Sequence, residues 1–299
     1  MGKRGITTSL PTLSFTPLAC AFFLFPRIPD RIAHAIRFLI FMALERKIWT
    51  RDELILALSV YFQLPFGRLN RTTPEVKELA RLIGRTDNSA ALRLVNFAAC
   101  DPYITDSGRT GMPAGKAVCE PIWNEFANDK ERLFIEAQRI KAQLQNKSIE
   151  DSLNIMPTEL EGKEREAVIR QRVNQSAFRS MILSNYEGRC AITGINIPEL
   201  LVASHIIPWV DSTPQQKLNP ENGICLSALY DKAFDKGFIT ISPDDYTVCL
   251  SSALREYETQ DYYNTHFGSI AGHKLIMPIE HTPNRDYLAY HRDRIFRGS

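Results

Sequence analysis

The chain has 299 residues, of which 44% are hydrophobic and 10% aromatic, and its formal net charge is +2. This length accommodates about two domains, and the composition is ordinary for a globular protein that buries a core. The six cysteines form no C-x-x-C pair, which argues against a disulfide framework and a four-thiolate zinc site and favours a reducing cytoplasm. Residues 1–41 hold five basic residues and one acidic residue. Because residues 42–299 therefore carry a net charge of about −2, we expect any nucleic-acid-binding surface to be a local patch.

Residues 1–41 differ from the rest of the chain, because they are rich in Thr, Ser, Pro and Phe and follow neither a helix nor a strand period. The apolar run from Leu18 to Phe25 is too short to cross a bilayer, and charged residues follow it closely. Three interpretations stay open: a start assigned upstream of a natural start at Met42, a peripheral or disordered appendage, or a secretion signal. We base no functional prediction on this extension.

Residues 42–145 are expected to form a helical domain. Thr50 is a suitable N-cap for a first helix, which has acidic residues in its first turn. A second helix is expected to begin at Pro74 and to end at Gly84, and Ser89 is a suitable cap for a third. A fourth helical segment completes this region.

Three short helices behind a tryptophan resemble a Myb/SANT-like or helix-turn-helix module. In this interpretation Arg93 and Asn96 of the third helix face DNA, and Arg85 lies in the turn before it. The alternative is a helical bundle that only packs against the rest of the chain. The sequence leaves both interpretations open.

The polar and irregular residues 146–163 predict a linker, and an amphipathic basic helix is expected directly after it, over residues 164–185. Its arginines include Arg172 and Arg179. The basic face is either a solvated surface or a surface that contacts DNA phosphates.

A short apolar strand is predicted at Leu200 to Ala203, and it delivers His205 at its end, where Pro208 stops the strand. Taken alone, a histidine beside aliphatic residues is more often a packed core residue than a catalytic one. The residues that follow therefore decide its interpretation.

Carboxylates and an asparagine follow His205 at spacings that favour an active site. The Asn222-Gly223 pair predicts a tight turn, and Ser227 is a suitable N-cap for the next helix. On that helix Asp231 and Asp235 are four residues apart and share one face. A strand ending in histidine, an ordered asparagine loop and a helix bearing carboxylates form a ββα arrangement.

Phosphodiester hydrolysis uses such parts directly. An imidazole with a pKa near ~6.5 can activate water, and a hard divalent cation held by oxygen ligands stabilises charge on the phosphate and the leaving 3′ oxygen. An asparagine can fix the loop so that the imidazole is correctly aimed.

The segment from about Arg172 to Ser251 resembles the HNH endonuclease family, in a branch associated with restriction. The resemblance rests on four spaced pieces: C-x-x-T-G at Cys190–Gly194, S-H-I-x-P-W at Ser204–Trp209, N-G-x-x-L at Asn222–Leu226 and F-D-x-G at Phe234–Gly237. The helical region and the tail also resemble this branch, so the resemblance covers nearly everything after Met42.

The resemblance implies a role for each matching position. His205 matches the general base, and Asn222 matches the asparagine that braces the loop. The third position, which usually binds the metal, falls on Tyr230 or Asp231, and Asp235 is a second candidate ligand. We therefore predict Asp231 and Asp235 as ligands of a divalent metal ion, Mg²⁺ in the first place and Mn²⁺ as the alternative.

Two departures from the family pattern bear on metal binding. The residue before the base is often Asp or His in the family, but here it is Ser204, whose neutral hydroxyl is a weak ligand. Cys190 and Cys225 lie where some relatives carry zinc-binding pairs, but their second partners are missing. We therefore expect no structural zinc and interpret both cysteines as small buried hydrophobic residues.

We predict an α+β protein with a helical domain at 42–145, a ββα-metal nuclease domain at 164–258 and a closing segment at 259–299. The expected function is metal-dependent hydrolysis of DNA in the cytoplasm, within a restriction or other defence system and without a membrane partner. Two alternatives stay open: an inactive DNA-binding or regulatory protein that retains the ββα fold, and a nuclease gated by its helical domain. A homodimer is also open.

Three residues are expected to bind DNA, namely Arg172, Arg179 and Lys236. Among the other histidines, the sequence predicts surface or structural roles for His266, His273 and His281. For His291, in a closing helix, it leaves open whether the side chain reaches the site.

Overall fold

The computed structural model describes residues 48–155 and 162–298, so the interpretations of residues 1–41 lie outside the described residues. The first half of this part of the chain is helical, with α1 (Arg51–Tyr61), α2 (Pro74–Leu82), α3 (Asp87–Ala98), α4 (Pro102–Thr105), α5 (Lys116–Phe126), α6 (Lys130–Leu144), α7 (Ile149–Ser152) and α8 (Gly162–Asn185). The second half is mixed, with β1 (Leu201–His205), α9 (Pro214–Lys217), β2 (Gly223–Ser227), α10 (Ala228–Asp235), β3 (Ile239–Ile241), β4 (Val248–Leu250), α11 (Asp261–His266) and α12 (Arg285–Arg294). The predicted α+β class is confirmed.

Local chemistry explains where the first helices begin and end. Thr50 and Glu53 form a reciprocal capping box at the start of α1, as its N-cap prediction requires. Gly84, with a φ of +62°, follows the end of α2. The start of α3 differs from the prediction, because the N-cap is Thr86, whose hydroxyl accepts a hydrogen bond from the backbone N–H of Ser89.

The DNA-facing interpretation of the third helix is wrong. Arg85 forms an ion pair with Glu53 at 2.7 Å, and both side chains are less than a tenth exposed. Asn96 is buried and donates a hydrogen bond to the backbone oxygen of Met112 at 2.8 Å. Arg93 donates to the backbone oxygen of Gly115. These side chains therefore stabilise the helical bundle by contacts within it.

Two small antiparallel sheets organise the second half. Strands β1 and β2 pair so that Leu201 lies opposite Ser227 and His205 lies opposite Gly223, and β3 pairs with β4. Helices α8 and α10 pack against the first pair, and α6 packs against α8. The shared core includes Phe134, Phe178, Ile182, Leu201, Ile224, Phe234 and Ile239. No helix in the described residues is both long and apolar enough to cross a membrane.

Gly223 allows α8 to approach the end of β2 closely. A Cβ atom at this position would lie 2.3 Å from Cδ1 of Ile182 and 2.7 Å from Cζ of Phe178. The backbone φ of Gly223 is −140°, so the requirement for glycine is steric. The close approach places the Phe178 ring beside the strand end that carries His205.

We therefore expect Gly223→Ala to lower the free energy of unfolding by about 1–3 kcal/mol, because the added methyl overpacks a filled core. Urea denaturation measures this change. Gly67→Ala is the matched control, since a Cβ at Gly67 meets nothing within 4 Å. Equal stability of the two variants would contradict the close packing of α8 on β2.

Candidate active site at the end of the first strand

An open cleft of about 440 Å³ lies where the end of β1 faces helix α10. Its lining residues include Ser204, His205, Trp209, Asp231, Asp235 and Lys236. The fold therefore brings four of the seven predicted site residues to one cleft, namely His205, Asp231, Asp235 and Lys236. Asn222 lies behind it, in the turn that leads into β2.

The imidazole of His205 is held on three sides. Its ring stacks on Phe178 of α8, with centroids 3.6 Å apart and planes 14° apart. Trp209 meets the ring edge-on at 5.5 Å. Nε2 of His205 lies 3.2 Å from the backbone oxygen of Lys217.

The hydrogen bond to Lys217 fixes the tautomer of the neutral His205 ring, and burial favours that neutral form. A carbonyl oxygen only accepts hydrogen bonds, so Nε2 carries the hydrogen and the lone pair of the neutral ring resides on Nδ1. Burial lowers the pKa of His205 from its ordinary value of 6.5 to about 4, and the Lys217 carbonyl opposes this only in part. The imidazole is therefore neutral and able to accept a proton near pH 7.

Asn222 braces the loop that follows His205. Its side chain is fully buried, and its Oδ1 accepts a hydrogen bond from the backbone N–H of Ile207 at 2.8 Å. Its Nδ2 donates to the backbone oxygen of Gln216 at 3.2 Å and to the hydroxyl of Ser212 at 3.3 Å. One amide thus ties both ends of the loop that presents the Lys217 carbonyl to His205.

Helix α10 supplies the carboxylates. Burial and the neighbouring charge of Asp235 raise the pKa of Asp231, while the Ser204 hydroxyl opposes the shift. Burial likewise raises the pKa of Asp235, against the charges of Lys232 and Lys236. A cation beside these two carboxylates would favour their charged forms, which burial disfavours.

Ser204 is buried, and its hydroxyl has an unfilled hydrogen-bonding position among the described residues. Its side chain is 2% exposed, and among the described residues its Oγ has no well-formed hydrogen-bond partner. The hydroxyl nevertheless lies close enough to Asp231 to influence that carboxyl's pKa. A buried hydroxyl without a partner costs free energy unless an ion or water completes it.

Of the two candidates for the third family position, Asp231 lines the cleft and Tyr230 does not. Tyr230 is buried, and its hydroxyl donates to the backbone oxygen of His266 at 2.8 Å. It is absent from the lining of the cleft, whereas Asp231 lines the cleft beside Ser204.

Oxygen donors at this cleft fit a hard divalent cation. Within residues 48–155 and 162–298, no three His, Cys, Asp or Glu side chains come together as a metal-binding group. Mg²⁺ does not require such a group, since it retains several waters and binds through one or two carboxylates plus substrate phosphates. The two aspartates and the Ser204 hydroxyl match that requirement.

The basic residues predicted to bind DNA have different environments. Lys236 is exposed and lines the cleft. Arg172 is exposed on α8, away from the lining of the cleft. The two terminal nitrogens of Arg179 donate to the backbone oxygens of Leu201 and Pro198, at 2.6 and 3.0 Å, so this guanidinium anchors the chain that enters β1. We leave Arg179 out of the proposed DNA surface for that reason.

His291 is a structural residue, although it borders the same cleft. It is 1% exposed, its Nδ1 lies 2.8 Å from the Thr240 hydroxyl, and its Nε2 lies 3.1 Å from the backbone oxygen of Phe234. With both nitrogens engaged, it holds α12 against α10 and β3. Cys190 and Cys225 are free, fully buried thiols in the core, and the Cys190 sulfur accepts from the backbone N–H of Ser227.

Sequence reasoning missed Phe178 and the Lys217 carbonyl, which together set the ring plane and tautomer of His205. Phe178 carries only the signal of an apolar position on an amphipathic helix, and a backbone carbonyl carries none.

Comparison with known families finds a match, and it covers most of this cleft. Residues 190–242 match the family model described as HNH endonuclease. The match spans β1, β2, α10 and β3, and it therefore includes all the residues that line the described cleft except His291 and Ile295. No curated protein matches the chain.

Proposed function

We propose that this chain, which contains an HNH endonuclease domain at residues 190–242, hydrolyses DNA phosphodiester bonds with the help of a divalent metal ion. The observation that carries the proposal is the tightly held imidazole of His205 in one cleft with Asp231 and Asp235. We further propose that the enzyme serves a restriction or other defence system. That role rests on the branch that its motifs resemble.

His205 acts as the general base in this proposal. Its Nδ1 accepts a proton from a water molecule, which attacks the phosphorus atom of the scissile phosphate. The developing imidazolium donates from Nε2 to the Lys217 carbonyl, which favours the charged ring as it forms. Asn222 keeps that carbonyl in place, so its role is positioning.

Asp231 and Asp235 would hold the divalent ion, with the Ser204 hydroxyl or a water completing the set. When bound, the ion supplies Lewis-acid stabilisation of negative charge on the phosphate and the leaving 3′ oxygen. Without a cation, the negative charges of the two carboxylates repel the anionic phosphate, so phosphate approaches α10 only when a cation is bound.

Lys236 and Arg172 are the proposed DNA contacts. Lys236 lies at the cleft, where an ammonium contacts a phosphate beside the scissile one. Arg172 has neither a hydrogen bond nor an ion pair among the described residues, unlike Arg165 and Arg170 of the same helix, which pair with Glu150 and Glu131. It is therefore available for phosphate contact.

The pH dependence of cleavage is expected to be unusual for a histidine base. The base must be unprotonated, so activity is present above the pKa of His205 and is lost as the pH falls through about 4. At saturating Mg²⁺, single-turnover cleavage rates should be level from about pH 9 to 6 and decline below about 5. Half-loss of the rate at pH 6.5 would contradict the buried state of the ring.

A second candidate function is DNA binding without cleavage. It is favoured by Ser204 in place of a stronger ligand and by the absence of a three-residue metal cluster in the part of the chain that the structure describes. Incubation of the full chain with supercoiled plasmid, methylated and unmethylated, separates the two functions. We expect nicked or linear product with Mg²⁺ or Mn²⁺ and none with a chelator. DNA that is bound but uncut with every metal would establish the second function instead.

A further inference from the structure

A second cavity, of about 560 Å³, lies where the helical half meets the segment that precedes Asn222. Helices α1, α4, α5 and α6 contribute one side, and the turn at Asn219 to Glu221 contributes the other. It shares no lining residue with the cleft at His205. Its volume is sufficient for a small-molecule ligand.

Aromatic rings form the walls of this junction cavity. The rings of Phe62 and Trp123 lie 5.4 Å apart at an angle of 32°, and Tyr61 meets Trp123 edge-on at 5.9 Å. Tyr103 lies on the ring of His281 at 4.7 Å. Such surfaces favour a planar, aromatic ligand that stacks.

Two charged groups in the junction cavity have no hydrogen-bond or ion-pair partner among the described residues. The Lys130 ammonium lies 4.8 Å above the Phe62 ring and has neither a hydrogen bond nor an ion pair among the described residues. Burial lowers its pKa, against the charges of Asp101 and Glu221. The Glu221 carboxylate is half-buried and also has no hydrogen-bond or ion-pair partner in the described part of the chain. By contrast, Asp101 accepts from the Tyr61 hydroxyl, and Glu280 pairs with Arg109.

We propose that the junction cavity binds a guanine-type nucleobase. The edge of guanine offers two adjacent N–H donors, which match a carboxylate such as Glu221, and a carbonyl oxygen, which matches an ammonium such as Lys130. The ring stacks on the aromatic walls. This is the combination of stacking and edge hydrogen bonds by which proteins bind an unpaired base. The base comes either from a free nucleotide or from an extruded nucleotide of DNA.

Occupation of the junction cavity also reaches the candidate active site, and this part rests on the proposed nuclease function. Glu221 directly precedes Asn222, whose side chain braces the loop at His205. The backbone oxygen of Glu221 accepts from Asn284 just before α12. A ligand that binds the Glu221 carboxylate therefore changes how firmly Asn222 holds the loop at His205. Ligand binding in the junction cavity and DNA cleavage are coupled in this way.

Calorimetric titration of the full chain with GMP, AMP and CMP, in the absence of metal, tests the site without any need for cleavage. We expect GMP to bind at least about ten-fold more tightly than AMP or CMP, and Glu221→Gln and Lys130→Ala each to weaken GMP by about ten-fold. Glu199→Gln and Lys141→Ala are the matched controls, since Lys141 pairs with Glu78 outside the cavity. Both should bind GMP as the unaltered chain does.

The source of the base is read from single-stranded oligonucleotides. Preference for a guanine-containing strand over an all-thymine strand, lost in Lys130→Ala, indicates a base of DNA, and GMP binding without that preference indicates a free nucleotide. The proposal is overturned if neither GMP nor the guanine strand binds selectively, or if the Glu221 and Lys130 variants bind like their controls. If the chain binds GMP but does not cleave DNA, the guanine site stands and only its coupling to cleavage is wrong.

Discussion

Replacement of His205 by alanine is expected to reduce metal-dependent DNA cleavage by about 10²–10⁴-fold, because it removes the proposed general base. The fold should tolerate the change, since His205 lines an open cleft and Phe178 keeps its other contacts in the core. Single-turnover cleavage of a labelled duplex at saturating Mg²⁺ measures the effect on the chemical step.

His273→Ala is the matched control for His205→Ala. His273 is exposed, and it contributes only backbone hydrogen bonds to its surroundings. The control should cleave DNA at the rate of the unaltered chain. If His205→Ala cleaves equally well while remaining folded, His205 is a packed core histidine and the assigned base is wrong.

Replacement of Asp231 by asparagine is expected to weaken metal-supported cleavage by more than about 100-fold, which exceeds the usual effect of losing an outer partner of a metal ligand. The substitution keeps the shape of the side chain and removes its charge. It also removes a negative charge that burial and the nearby charge of Asp235 disfavour, which is why the pKa of Asp231 is raised, so the folded chain should be no less stable. Cleavage rates across a Mn²⁺ titration separate weaker metal binding from a slower chemical step.

Asp235→Asn should shift the same Mn²⁺ titration in the same direction, whereas Asp244→Asn, on an exposed turn, should leave it unchanged. Normal Mn²⁺ dependence in both Asp231→Asn and Asp235→Asn would show that the ion binds elsewhere. If Asp231→Asn loses activity and Asp235→Asn keeps it, Asp231 binds the ion without Asp235, and the other ligands of the ion are Ser204 and water.

Much of the second half follows from short-range rules. The apolar strand before His205, the turn at Asn222 and the one-sided helix with Asp231 and Asp235 are each specified by a few neighbouring residues. The resemblance to HNH endonucleases, with an ordered series of motifs, agrees with the family match at residues 190–242.

Interactions between distant segments were not predictable in the same way. The sequence predicts Arg179 as a phosphate contact on a basic helix, yet its guanidinium donates hydrogen bonds to backbone carbonyl groups some twenty residues away. The sequence places Arg85 in a turn before a helix that could face DNA, yet its side chain forms an ion pair with a buried carboxylate on another helix. A periodic pattern indicates which face of a helix is polar, but the partner on that face depends on tertiary packing.

The domain boundaries at 42–145 and 164–258 stay predictions.

The junction cavity could not be predicted from sequence patterns. Its walls come from five separate segments, and none of them carries a ligand-binding motif.

Chemical rescue tests the central claim most directly, namely that the imidazole of His205 takes the proton from water. His205→Gly leaves a gap against Phe178 that added imidazole can enter. We expect imidazole to restore DNA cleavage by His205→Gly in a concentration-dependent manner at saturating Mg²⁺, and to restore none in Asp231→Asn. Absence of any rescue in a folded, DNA-binding His205→Gly chain, or equal stimulation of both variants, would contradict it.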